Sequence, residues 1–406
     1  MKRREFMTLL GGAAAWPLAA HAQGPNSIDD AMRRAVERKE VAGVVVMAAD
    51  RKGVIYQGAF GVADIDSGRP LQLDSMFRIA SMTKAITSTA AMQLVEQNRF
   101  AIEDPVEKYL PEFAKLMVFE SFDGATGAYR LRPATKPVTI RHLFTHTSGL
   151  GYGFTSPTVR DFKPRAGEEY AVGPLEFEPG ERWLYSTSTD WLGRVVEKVS
   201  GQPLEDYFRQ KIFTPLGMVD TSYFVPKDKE ARLVTVNRRQ PDGSLAKDSV
   251  QPPTSGFTPI GGGGLSSTAG DYIRFTRMLL NGGILDGSRI LAAGSVEAMA
   301  QNQIGSVGVP ALRSSAPTVS DDFSFIADGR DKWGLGFLIT TDQVPGKRSP
   351  GSLSWGGISN TFFWIDPICG IAGVIMMQYL PFADARALAV YDSFERGAYQ
   401  LVGAGG

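Results

Sequence analysis

From Ala42 to Asp50 the chain is almost continuously apolar, and a second β-rich run follows from Val54 to Gly61, with Arg51-Lys52-Gly53 between them. Two such runs across a short polar turn containing glycine predict an antiparallel hairpin. The pattern then changes. Between Asp74 and Gln97, the residues Phe77, Ile79, Met82, Ile86, Met92, Leu94 and Val95 stand among Ala and Thr, which predicts a helix buried on most sides and starting near Ser81. Shorter helical pieces follow at Thr139–Phe144, Ser188–Val199, Pro203–Ile212 and Asp271–Asn281, punctuated by Gly180, Gly201, Gly217 and Gly282. Strand patterns return at Trp333–Ile339, Thr361–Asp366 and Ile371–Gln378, and a last helix runs from Ala383 to about Val402. The expected class is α/β (α+β): one antiparallel sheet shared by residues 23–80 and 325–406 and flanked by helices, with 81–324 as a large, mostly helical inserted domain. The functional site is expected at the junction. Residues 305–329 carry little periodicity and are expected to form a loop over the cleft.

The chain has 406 residues, with 43 Lys+Arg against 43 Asp+Glu. Zero formal charge gives no footprint for bulk nucleic-acid binding. Residues 1–22 change the picture more. Arg3-Arg4, an uncharged run from Met7 to Ala20 and the small-x-small site Ala20-His21-Ala22 predict a twin-arginine export signal, so the mature protein is expected to be periplasmic or secreted. That uncharged run is too short to span a bilayer stably, and no membrane insertion is expected after cleavage. Cys369 is the only cysteine, so no intrachain disulfide forms in the oxidising compartment.

Without the signal, only His142 and His146 remain, and no Gly-x-Ser-x-Gly occurs. A nucleophile elbow is therefore absent, and two histidines are too few for a zinc site. The stronger candidate is Ser81-Met82-Thr83-Lys84. On a helix, i and i+3 share a face, so Lys84 can reach the Ser81 hydroxyl and, when neutral, take its proton. The same spacing recurs at Ser244-Leu245-Ala246-Lys247, which follows the turn Pro241-Asp242-Gly243 and reads as a chance match in a solvated loop. Tyr185, opening the helix of Asp190 and Trp191, is either an amphipathic core residue or a second proton carrier near Lys84. Ser354-Trp355-Gly356-Gly357-Ile358 is either a bulge or turn, or a strand whose N–H joins that of Ser81 in an oxyanion hole. Gly261–Gly264 lacks the Gly-Lys-Ser/Thr of a phosphate cradle and reads as a turn before the Asp271 helix.

The order Ser81-x-x-Lys84, Tyr185 and a Gly-Gly strand resembles the serine β-lactamase and penicillin-binding fold, in its class C β-lactamase-like branch. Phe77–Lys84, Leu143–Leu150, Pro215–Met218 and Gly263–Thr268 carry the resemblance in the expected order. Two departures concern substrate. Where class C enzymes have Tyr-x-Asn, this chain has Tyr185-Ser186-Thr187, and where they have Lys-Thr-Gly it has Trp355-Gly356-Gly357. The latter resembles the family VIII carboxylesterases. The resemblance implies Ser81 as nucleophile, Lys84 and Tyr185 as the proton-handling pair, and the N–H groups of Ser81 and Ile358 as oxyanion hole. It also implies a pocket of Trp355, Gly356, Gly357 and Thr187, no metal or cofactor, and small carboxylic esters as substrates. A β-lactamase, D-alanyl peptidase or amidase of this fold would need a replacement cation, for which Arg130, Arg132 and Arg348 are available. An exported ligand-binding protein without catalysis is the alternative from another class.

Overall fold

The computed structural model describes residues 25–249, 257–324 and 329–403; the export signal expected at 1–22 lies outside them. The apolar run after Ala42 forms β1 (Gly43–Asp50), paired with β2 (Val54–Asp64), and a short β3 (Arg69–Pro70) extends the edge. The C-terminal part contributes β4 (Lys332–Trp333), β5 (Leu338–Ile339), β6 (Leu353–Gly357), β7 (Thr361–Asp366) and β8 (Ile371–Met376). Together they make one antiparallel sheet in the order β4-β5-β6-β7-β8-β1-β2-β3. Chain ends distant in sequence thus meet at the β1–β8 pair, with Val45 opposite Met376.

Both faces of the sheet are covered, which is why β1 reads as a continuous apolar run. Val44, Val46 and Ala48 pack on one face with α1 (Pro25–Glu37) and the C-terminal helix, whereas Val45, Met47 and Ala49 join the core on the other. That second face is covered by the helix Ala269–Leu280, so the 81–324 segment supplies part of the sheet's own cover. The helix expected from near Ser81 divides in two: a 3₁₀ turn, Ala80–Met82, leads into α2 (Thr83–Glu96), whose residues Thr83 to Leu94 are all buried. Further along lie α3 (Ile140–Thr145), α4 (Ser188–Ser200), α5 (Ala269–Leu280) and the C-terminal α6 (Ala385–Leu401). α1 shows Ile28, Met32 and Ala35 on one buried face, a helical spacing that the strand-rich reading of this end left out. The middle segment also holds a hairpin of Met117–Phe122 and Tyr129–Pro133, so it is less purely helical than its composition suggests.

Trp333–Ile339, expected as one strand, is instead the tight pair β4–β5. Gly336 sits at φ +97°, and a Cβ there would lie 2.1 Å from Ser88 Oγ, so the turn reverses the chain while lying flat against α2. Arg348, one of the candidate replacement cations, is committed elsewhere. Its guanidinium donates to Glu395 at 2.7 and 3.0 Å beneath α6, with Trp364 and Tyr391 beside it. Both charged groups are buried, so removing one leaves the other uncompensated. Arg348→Met is expected to lower the unfolding free energy by roughly 3–5 kcal/mol in urea titrations; a loss within experimental error of zero would contradict this account of the pair.

Candidate active site

Ser81 stands in the 3₁₀ turn that feeds α2, and the residue before it, Ala80, holds φ +44°. A left-handed alanine is a strained conformation that surrounding structure must impose. Here the imposing element is β6. A Cβ on Gly357 would lie 2.3 Å from Ile79 O, so only glycine lets the end of β6 press against the Ser81 turn. Gly356 is restricted too, by the Phe362 ring 2.7 Å from its virtual Cβ. Ile358 follows directly in the turn after β6. The Trp355–Ile358 segment is therefore a strand running into a turn, not a bulge.

Lys84, on the first turn of α2, is 1% exposed. Its Nζ lies 3.3 Å from Ser81 Oγ, 3.1 Å from Tyr152 OH and 2.7 Å from Gly262 O. The rings of Tyr152 and Tyr185 also face it, with centroids at 5.2 and 4.9 Å. Gly262 O can only accept. A neutral lysine that donates to Gly262 O and Tyr152 OH keeps its lone pair for the Ser81 hydroxyl proton.

The sequence reading missed both of these partners. Tyr152 lies just past Ser148-Gly149-Leu150, where a tyrosine in a loop carries no periodic signal. The Gly261–Gly264 run was legible only as a turn. Its glycines in fact allow close approach: a Cβ on Gly261 would sit 2.2 Å from Thr189 O, and one on Gly262 2.4 Å from Asp190 Oδ1. Thr87 Oγ1 donates to Gly261 O at 2.6 Å, which ties the loop to α2. Beyond the loop, Thr268 caps α5 by accepting from the Asp271 N–H.

Asp190, on α4, accepts from the Gly262 N–H at 2.6 Å. Burial raises its pKa, and the nearby Lys84 charge works against that rise. Its carboxylate faces the Tyr152 hydroxyl; burial, followed by that negative charge, pushes the Tyr152 phenol well above its ordinary value.

Tyr185 is brought to Lys84 by its ring face. Its hydroxyl points at Trp355, whose Nε1 lies 3.4 Å away. Trp355 packs on Tyr185 and on Trp333, with centroids 4.9 and 4.7 Å apart, and joins Trp183, Leu312 and Phe323 around a small apolar cavity. Thr187, at the N-cap of α4, is half-buried. Of the 305–329 segment, residues 325–328 lie outside the described residues. Elsewhere in it Leu312 and Phe323 exchange backbone hydrogen bonds, and Ser315 donates to the carbonyls of Gly153 and Phe154, beside Tyr152.

The remaining candidates are occupied structurally. Ser244 donates to Asp242 at 2.7 Å, and Lys247, on a short strand, turns to Asp64 at 3.3 Å. Arg132 pairs with Glu178, and Arg130 is exposed on the hairpin. His146, wholly buried, shares a hydrogen bond with Ser186 at 3.1 Å. His142 Nδ1 accepts from the Thr139 N–H at 3.1 Å in a capping box. Among the described residues, no three His, Cys, Asp or Glu side chains could hold a metal ion, and no helix is long and apolar enough to cross a membrane.

A large sheet, a serine and a buried lysine three residues apart, and a glycine-rich strand pressed on the serine turn define a β-lactamase-type site. The β-lactamase family profile matches residues 28–394, and the chain belongs to that family. Lovastatin esterase of Penicillium rubens is 32% identical over 397 residues, covering 92% of this chain and 98% of the relative. Monacolin J acid methylbutanoyltransferase of Aspergillus terreus is 31% identical over 400 residues, covering 92% and 95%. A mutant form of simvastatin synthase from Aspergillus terreus superposes with a TM-score of 0.81 at 30% identity, covering 96% of this chain and all of the other. The hydrolase EstCE1, with a TM-score of 0.71 at 23% identity, shares the fold over 91% of this chain and 98% of its own.

Burial lowers the His142 pKa from its ordinary 6.5 to about 4. A base with a depressed folded-state pKa contributes stability that is complete above 6.5 and lost as pH falls from 6.5 towards 4. The unfolding free energy is expected to fall across that window by up to about 3 kcal/mol from this group. In His142→Gln, which keeps an acceptor at the third helical position, the fall should be smaller by that amount; an identical pH profile would refute the assignment.

Proposed function

We propose that this protein is a serine acyl hydrolase that cleaves small, mostly neutral carboxylic esters through an acyl-enzyme on Ser81. The observation that carries the reading is the single lysine nitrogen within hydrogen-bond reach of a half-exposed serine and two acceptors that account for its other donors. The Ser81 hydroxyl gives its proton to Lys84 as Oγ bonds to the ester carbonyl carbon, and the carbonyl oxygen becomes an anion. The N–H groups of Ser81 and Ile358 receive it; no acceptor for either is found among the described residues, and Gly357 brings the two segments together. As the tetrahedral adduct collapses, the proton passes to the departing alkoxide, and Tyr185, beside Lys84, is the second carrier. Water then adds to the acyl-enzyme by the reverse sequence and frees the acid.

Substrate choice follows from the wall opposite the nucleophile. Trp355 occupies the place of a cation, and the aromatic group of Trp183, Tyr185, Trp333 and Trp355 favours an uncharged acyl or alcohol group. The buried ion pair of Arg348 and the pairing of Arg132 with Glu178 remove two of the three candidates for the replacement cation that a carboxylate-bearing β-lactam would need. Acyl transfer to an alcohol in place of water is the second reading, favoured by relatives named as methylbutanoyltransferases as well as an esterase. We also propose export through the twin-arginine route.

The mature protein is expected to hydrolyse p-nitrophenyl butyrate, with Ser81→Ala at background and Ser244→Ala unchanged; equal rates in wild type and Ser81→Ala would remove the assignment. For export, replacing Arg3-Arg4 by Lys-Lys is expected to leave the protein in the cytoplasmic fraction of a host with that route, and unaltered secretion would exclude it.

A further inference from the structure

Lys84 is held by partners that themselves have a common holder. Gly262 is held on both sides, its N–H donating to Asp190 Oδ1 at 2.6 Å and its carbonyl, in the following peptide unit, accepting from Lys84 Nζ at 2.7 Å. Asp190 also faces the hydroxyl of Tyr152, the lysine's other acceptor at 3.1 Å. Both lines that fix the lysine's donors therefore run back to one carboxylate on α4. That carboxylate is half-buried, and the mechanism above does not use it.

Resting on the hydrolase reading above, we infer that Asp190 is a positioning residue for Lys84. It fixes the glycine loop so that the Gly262 carbonyl takes one lysine donor and leaves the lone pair for Ser81, and its carboxylate is the charged partner of Lys84 in the site. Geometry gives the first part. The Gly261–Gly262 peptide plane is fixed at both ends, by Thr87 on the Gly261 carbonyl at 2.6 Å and by Asp190 on the Gly262 N–H, and this holds the next carbonyl, that of Gly262, on the lysine side. Electrostatics gives the second. The Lys84 charge works against the rise that burial imposes on the Asp190 pKa, so carboxylate and ammonium attract each other across the site. The titratable groups facing Lys84 are Tyr152, Tyr185 and His146 besides Asp190, and Tyr223 faces Asp190 from the other side. Of these only Asp190 is a carboxylate.

The test reads Ser81 itself: the pH dependence of its labelling by a fluorophosphonate, alongside p-nitrophenyl butyrate turnover. Asp190→Asn keeps an acceptor for Gly262 but removes the charge. It is expected to move the acid limb of labelling to lower pH by about one unit or more. Asp190→Ala loses the anchor too and is expected to cut the plateau rate about tenfold or more, with KM for the ester within about twofold of wild type. A packing role alone would leave the acid limb in place. Gly262→Ala, whose Cβ would lie 2.4 Å from Asp190 Oδ1, separates carboxylate from peptide while keeping the charge. It is expected to lower the plateau without moving the limb, and it carries the test if the Asp190 variants do not fold. Wild-type limbs in the Asp190 variants, or a wild-type plateau in Gly262→Ala, would overturn the inference. Failure of the hydrolase reading looks different: Ser81 labels with the expected pH dependence while the ester is not turned over.

Discussion

A lysine nitrogen placed where water cannot reach it is the constraint around which this protein is arranged. Lys84 needs a set of polar neighbours that leave none of its hydrogen-bonding capacity wasted, because a buried amine without partners would cost several kcal/mol. Three separate segments meet that need: the 3₁₀ turn with Ser81, the loop with Tyr152 and the glycine loop with Gly262. Each is useless without the others. The lysine therefore links α2, the Tyr152 loop and the glycine loop as firmly as an apolar contact would.

Close backbone approach is the second requirement, and it explains where glycine is spent. Gly261 and Gly262 allow the glycine loop to reach α4, and Gly357 allows β6 to reach the serine turn. The positive φ of Ala80 is the local consequence, a strained residue next to Ser81 that β6 and the Leu265 carbonyl, which accepts from the Ile79 N–H, hold in place. The aromatic group then closes the other side. Trp355 would be an isolated exposed ring on a lone strand; packed between Tyr185 and Trp333 it becomes a rigid wall. The same packing turns the Tyr185 hydroxyl towards the indole, so that Tyr152, and not Tyr185, is the hydroxyl bonded to Lys84 in this state.

Sequence by itself determined the elements whose signal is local. The β1–β2 hairpin, the buried α2 and the C-terminal helix follow from periodicity, because burial on one or both faces leaves a repeat in the chain. Ser81 and Lys84 were legible for the same reason: their spacing is one helical turn, and their context separated them from Ser244 and Lys247. Tertiary structure alone decided the rest. That Tyr152, Asp190 and Gly262 converge on Lys84 depends on segments 68 to 178 residues away from it, and no period in the chain records such a meeting. The fate of Arg348 was equally hidden, since an arginine that pairs with Glu395 under a helix and one that faces a ligand look alike until their neighbours are in place. Short-range order comes from the pattern of side chains along the backbone; which polar groups share one buried volume is set by how the finished elements pack.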